Sequence, residues 1–379
     1  MSPASHRIVT GFMPLLDCAA LVAAAECGFA AHEGLDLRLV RDTSWANIRD
    51  RLLVGQFQAA HMLGPMVLAS SLGVGHLKVP LLAPVALGAG GNTVAVSTEL
   101  AEELQVAGGG DDFDPAKMGT ALRKVVGERS RSRRSPLTLA HVYPFSCHNY
   151  LLRHWLAASG IDPDVDVQLL VIPPPLLADA LRAGQIDGFC AGEPWGSVSV
   201  ATGVGALITT GMRIWPHGPE KVLALRADWA AAEPQAVAAF VRAIVRAAHW
   251  CDDADNRPEL AKLLSGPRYV GVPPALLLDA LEGLLTRRPG SEPEPAGTII
   301  EFAAGDATVP WPGHARWHYR QMVRWQQLAH SADAEATAAR CFRSDLYAQA
   351  LAPGTAPRRA HDDALFDGTL VSAAHGDGA

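Results

Sequence analysis

The chain has 379 residues, long enough for two compact domains, and its 49% hydrophobic content supports real cores. A net charge of −7 argues against a nucleic-acid-binding surface as the main function, and no apolar run approaches the ~20 residues that span a bilayer. The six cysteines are scattered without a C-x-x-C pair, which is neither a disulfide framework nor a zinc signature and fits reduced thiols inside a cell.

Strand and helix signals alternate from the start. Arg7–Phe12 reads as a strand, Ala19–Cys27 as a helix closed by Gly28, and Leu35–Arg41 as a strand of alternating apolar character. Thr43 or Ser44 can cap a helix from Trp45 to about Val54. Val79–Leu87 and Thr93–Ser97 read as strands around a Gly88–Asn92 turn, so the class is α/β with a largely parallel sheet. The early strand, Asp17 interrupting the next apolar stretch, and Glu26 before Cys27 all disfavour a secretion signal, which predicts a cytoplasmic protein.

From Gly108 to Ser135 the glycines, acids and basic run (Arg129, Arg131, Arg133, Arg134) predict a linker or exposed excursion, with the arginines solvated rather than docking a partner. A second α/β unit follows. Leu137–Val142 is a strand, Ser146 caps a helix to Leu156 that stops at Gly160, and Val165–Ile172 is a strand running into Pro173, Pro174 and Pro175. Leu176–Ala183 is a helix, and Leu207–Gly211 and Val222–Arg226 are strands. Ala230–Cys251 is one long helix with Val237, Phe240, Val241, Ile244 and Val245 on one face, and helices continue to about Ala350. The Gly-, Ala-, Pro- and Asp-rich tail reads as loose.

Two stretches share one pattern. Gly55-Gln56 and Gly184-Gln185 each precede a short apolar segment, Phe57–Met62 and Ile186–Cys190, and Pro65 and Pro194 each fall ten positions after the glycine. The glycines suit a left-handed helix end, the apolar segments a buried strand, and the prolines the first turn of the next helix. A repeated strand opening into a helix N-terminus predicts two similar lobes facing a shared cleft, with free N–H groups for an anion.

No nucleophile elbow, phosphate loop or dinucleotide fingerprint occurs. His314 and His318 have i, i+4 spacing, but three tryptophans around them favour structural histidines over metal ligands. At the expected cleft, Trp45, Asn92, His148 and Lys221 offer N–H donors, and Lys221 adds the positive charge that a small planar oxyanion needs. Pro174 follows a strand end and Gly192 sits in the second repeat turn. Residue by residue each also fits a structural role, so spacing alone stops at a two-lobed α/β binding protein for an anion.

At these positions the chain resembles the nitrate- and bicarbonate-binding proteins of ABC importers. The resemblance runs from about Ile8 to about Gln349, through Ser44–Asp50, Ala60–Met66, Gly91–Val94, His148–Gly160, Val171–Pro174, Phe189–Trp195, Pro219–Trp229 and Trp250–Asp252. It implies the two-lobed type II periplasmic-binding-protein fold. One lobe is expected from 1–97 with 220–350, the other from 98–219, and 351–379 as a flexible tail. It implies a nitrate pocket of Trp45, Asn92, His148, Pro174, Ala191, Gly192 and Lys221. Nitrate importers tend to have Gln where Asn92 stands. The bicarbonate branch has an acid at the Lys221 position and works with a metal, so Lys221 implies nitrate or nitrite without metal or cofactor, and no catalysis. The predicted location extends the resemblance to the cytoplasmic NasS-type nitrate/nitrite sensors. These hold an ANTAR-type RNA-binding antiterminator and release it when the anion binds the closed lobes; the alternative is the substrate-binding component of a nitrate ABC importer.

Overall fold

The computed structural model describes residues 6–75, 77–351 and 364–371. Eleven strands set its plan: β1 His6–Phe12, β2 Leu35–Arg41, β3 Ala59–Leu63, β4 Leu81–Ala86, β5 Ala89–Gly90, β6 Asn92–Ser97, β7 Leu137–His141, β8 Val167–Val171, β9 Gly188–Gly192, β10 Gly205–Thr210 and β11 Lys221–Arg226. Ten of them form two five-stranded sheets, ordered β2-β1-β3-β11-β4 and β8-β7-β9-β6-β10, and β5 pairs instead with Ile300–Glu301. In the first sheet β1 runs parallel to β2 and β3 while β11 runs antiparallel to β3 and β4. In the second, β7 runs parallel to β8 and β9 while β6 runs antiparallel to β9 and β10.

The two sheets therefore repeat one another. The strands of the Gly-Gln pattern, β3 and β9, take the central place in each. Each is flanked by one antiparallel strand that arrives from the other lobe. Gly55 and Gly184 have φ of 79° and 64°, the left-handed conformation that ends a helix without a Cβ penalty. Both strands start two residues later than expected, at Ala59 and Gly188. Phe57 is instead buried against Gly11, where even a methyl group would come within 2.3 Å of its ring.

Helices cover the sheets. Ser44 Oγ accepts from Asn47 N (3.3 Å) to cap Trp45–Leu53, and Ser146 Oγ accepts from Asn149 N (3.1 Å) to cap Cys147–Ala158. The long helix divides at Pro234, which has no N–H to continue the turn before it, into Ala227–Ala232 and Pro234–Asp252. Val237, Phe240, Val241, Ile244 and Val245 are buried as the spacing requires, each contributing about 1.5–3 kcal/mol.

Several expectations are corrected. The first crossing between lobes falls at Leu87–Gly91, before Asn92 rather than after Ser97, because β6 pairs wholly with β9 and β10. The stretch expected as a linker contains the helix Pro115–Arg131, capped by Asp114, with Met118, Ala121, Leu122, Val125 and Val126 buried on one face. Of its basic run, Arg131, Arg133 and Arg134 are exposed as expected, while Arg129 and Arg134 reach Glu103 and Arg131 reaches Glu128. Of the tail, residues 352–363 and 372–379 lie outside the described residues. Residues 364–371 pack onto the molecule: Leu365 and Val371 are buried, Phe366 N–H donates to Ile214 O (2.8 Å), and Asp367 Oδ2 lies 3.1 Å from His154 Nε2. Among the described residues, no helix is long and apolar enough to cross a membrane.

Candidate functional site

The crossing strands place the site. Lys221, the first residue of β11, pairs with Leu63 at the end of β3, and Asn92, the first residue of β6, pairs with Gly192 at the end of β9. Both side chains so reach the C-terminal ends of the central strands, the place where open α/β sheets bind ligands. Leu16 N–H donates to Glu193 O (2.7 Å), Trp195 Nε1 to Pro14 O (3.0 Å) and Cys147 Sγ to Glu220 O (3.5 Å). These bonds join the lobes over the cleft and leave Lys221 with no exposed surface.

Lys221 Nζ lies 2.6 Å from Glu220 Oε2 and 2.7 Å from Asp17 Oδ2. Asp17 Oδ1 lies 3.0 Å from His61 Nε2, while His61 Nδ1 accepts from Met13 N (3.3 Å), which puts the imidazole proton on Nε2. Trp45 packs beside this group, its ring 5.9 Å from Nζ and 5.6 Å from the His61 ring. Asn92 Nδ2 donates to Glu220 Oε1, and His148 Nε2 stands 3.9 Å from Glu220 Oε2. Within this cluster, Trp45 Nε1, Asn92 Oδ1 and both ring nitrogens of His148 are buried without a hydrogen-bond partner among the described residues. Buried polar atoms are normally paired, so such a group marks a place built for something else.

Burial pushes the charges apart in a definite way. It would discharge the ammonium, but Asp17 and Glu220 outweigh it and hold Lys221 charged. Burial also works against the Asp17 carboxylate, yet Lys221 and His61 together hold its pKa far below the usual carboxylate range. Glu220 goes the other way: burial raises it, Lys221 only partly offsets that, and the Asp17 charge adds to the rise. One ammonium fully neutralises one carboxylate, and Asp17, with two hydrogen-bonding neighbours, takes that share. Burial and the Lys221 charge hold His148 neutral, and burial holds His61 neutral.

The structure thus brings Trp45, Asn92, His148, Gly192 and Lys221 together, with Ala191 buried one residue before Gly192 and paired with Thr93. Pro174 is buried in the turn after β8, two strands away from β9. The sequence reading missed Asp17 and Glu220. Two signals pointed to them: an Asp inside the otherwise apolar Met13–Val22 stretch, and an acid directly before Lys221. The lone compensating cation expected from sequence is in fact held between two carboxylates.

The helix N-terminus after β9 is also not the free anion site that was expected. The carboxylate of Glu193, fully buried, accepts from Ser197 N (3.3 Å) and from Thr93 Oγ1 (2.6 Å). Pro194 is the N-cap of Trp195–Ala201 rather than a first-turn residue, whereas Pro65 does lie in the first turn of Gly64–Leu72. His318 is buried and neutral, its pKa lowered to about 3 by burial, beside Cys147 Sγ at 3.8 Å. Among the described residues, no three His, Cys, Asp or Glu side chains stand together as a metal site.

Residues 2–265 match the model of the NMT1-like family. The chain belongs to that family. It is 31% identical over 358 residues to the nitrate/nitrite binding protein NrtA of Synechococcus elongatus, covering 92% of this chain and 78% of the relative. It is 34% identical over 375 residues to the nitrate import ATP-binding protein NrtC of Synechocystis, of whose length the chain spans about half, 53%. Its structure superposes on the crystal structure of the periplasmic nitrate-binding protein NrtA from Synechocystis with a TM-score of 0.85. That match has 27% identity and covers 99% of this chain and 98% of the other. This NMT1-like chain therefore has the two-lobed type II periplasmic-binding-protein fold.

Proposed function

We propose that this chain binds nitrate or nitrite between its lobes as the substrate-binding component of an importer. The observation that carries the reading is the buried cluster around Lys221. An ammonium has three donors, and two of them point at Asp17 and Glu220. The third, with Trp45 Nε1 and a His148 ring that has no hydrogen-bond partner among the described residues, is left for a small planar guest. Lys221 Nζ also occupies the place between two carboxylates where a divalent cation would sit, which supports a monoanion bound without metal over bicarbonate bound with one. The nitrate-binding relatives, one of them matched along nearly its full length, support the same substrate class.

A second reading is the cytoplasmic sensor that holds an ANTAR-type antiterminator. The resemblance alone carries it, and one of the relatives above is a nitrate import protein. Isothermal titration of the purified chain with nitrate, nitrite and bicarbonate tests the substrate. Saturable heat with nitrate or nitrite is expected, and bicarbonate binding alone would overturn the proposal. Cell fractionation separates the two roles, since a substrate-binding component that collects the anion for import must sit outside the inner membrane.

A further inference from the structure

The charge count of the cluster carries a consequence for what binds together with the anion. Two carboxylates, Asp17 and Glu220, face one ammonium in a region without solvent exposure. With both ionised the cluster bears one excess negative charge, and neither His61 nor His148 is charged to offset it. A monoanion entering about 4 Å from an ionised Glu220 would lose affinity on the order of a thousandfold at an effective dielectric near 20.

The hydrogen bonds show the same mismatch from another side. Asn92 spends its Nδ2 on the Glu220 carboxylate, while its own Oδ1 is buried with no partner among the described residues. A neutral Glu220 carboxyl reverses that arrangement. Its O–H can donate to Oδ1 once the amide turns over, and Nδ2 is then released as a donor. We propose that the anion binds together with one proton taken from solvent, that Glu220 is the residue that holds it, and that Asn92 is thereby turned into an anion donor. Glu220 is then a specificity-determining residue. It admits a monoanion only with its proton and keeps the site from filling with a second negative charge.

The groups that face Glu220 come from five elements. They are Lys221 on β11, which Glu220 directly precedes, Asp17 on the Leu16–Cys18 turn, Asn92 on β6, Cys147 and His148 on the Cys147–Ala158 helix, and Cys190 on β9. Both thiols are held neutral by burial. Asp17 is the larger of the two charges that hold Lys221 protonated, and Glu220 is the carboxylate that burial raises. This inference rests on the anion reading above.

The test is calorimetric titration of the full chain with sodium nitrate between pH 6 and pH 9, in paired buffers of different ionisation heat. Uptake approaching one proton per anion is expected at the alkaline end, with affinity falling tenfold per pH unit there. Glu220→Gln should take up no proton and bind nitrate at least tenfold more tightly than the natural chain at pH 9. Nitrate binding with flat affinity and no proton uptake across the range overturns the inference and leaves the anion reading standing. Uptake unchanged in Glu220→Gln also overturns it, by placing the proton elsewhere. If that variant does not fold, the infrared difference spectrum of the natural chain decides: a protonated-carboxyl C=O band gained on nitrate binding at pH 9 is expected, and proton uptake without that band overturns the assignment. Failure to bind nitrate or nitrite at any pH overturns the anion reading itself.

Discussion

Replacing Lys221 by Met removes the ammonium while keeping an unbranched side chain of similar volume, so little cavity forms. What remains is a pair of buried carboxylates whose shared cation has gone. Breaking a buried ion pair from one side costs about 3–5 kcal/mol, because the surviving charge is stranded. Here two charges are stranded, and the upper end of that range is expected at pH 7. The pH dependence gives the prediction its sharper edge. In the natural chain the pKa of Asp17 is lowered in the folded state, so its contribution is present above the unfolded value of ~3.8 and is lost as pH falls below it. In Lys221→Met the stranded carboxylates rise above their unfolded values, so the folded state takes up protons first and gains relative stability on acidification. Each pH unit is worth about 1.4 kcal/mol per proton. The penalty should therefore shrink by about 1–3 kcal/mol between pH 7 and pH 5. Urea unfolding at the two pH values, followed by tryptophan fluorescence, measures both quantities, and Asp17→Asn added to Lys221→Met should recover much of the loss. A Lys221→Met chain within 1 kcal/mol of the natural one at pH 7, or with the same penalty at pH 5, would refute the reasoning.

Two further outcomes are expected. A chain ending at Leu351 loses the burial of Leu365 and Val371 and the Asp367–His154 contact. It should be less stable by about 3–6 kcal/mol on side-chain burial alone, read as a fall in Tm, and an unchanged Tm would show that residues 364–371 contribute nothing. His141 and His318 have pKa values lowered by burial to about 4 and about 3. The unfolded chain therefore protonates first, near pH 6.5, and stability should decline as pH drops from there toward 4. The slope approaches 1.4 kcal/mol per pH unit for each histidine, and His141→Asn should flatten it measurably in urea unfolding at pH 5.

Much of this was written locally. Ser44 and Ser146 cap helices through atoms three residues away, and Gly55 and Gly184 end helices by their own φ. The Gly-Gln pattern marked β3 and β9 because a strand, a turn and a helix start follow one another without outside help. The linker reading of Gly108–Ser135 failed for a physical reason. Glycines and charges at both ends outweighed a buried stripe of Met118, Leu122 and Val125, whose meaning depends on the sheet it covers. Local spacing also could not show that β6 belongs to the second sheet, since partnership with β9 is a long-range choice.

The residue types of the cleft and the twofold plan of the lobes were determined by the sequence alone, because capping, periodicity and turn chemistry act over a few residues. The company Lys221 keeps was decided only by the tertiary structure. Asp17 reaches Nζ from the start of the chain, and charges far apart in the chain interact strongly only once folding has brought them together and removed the water between them.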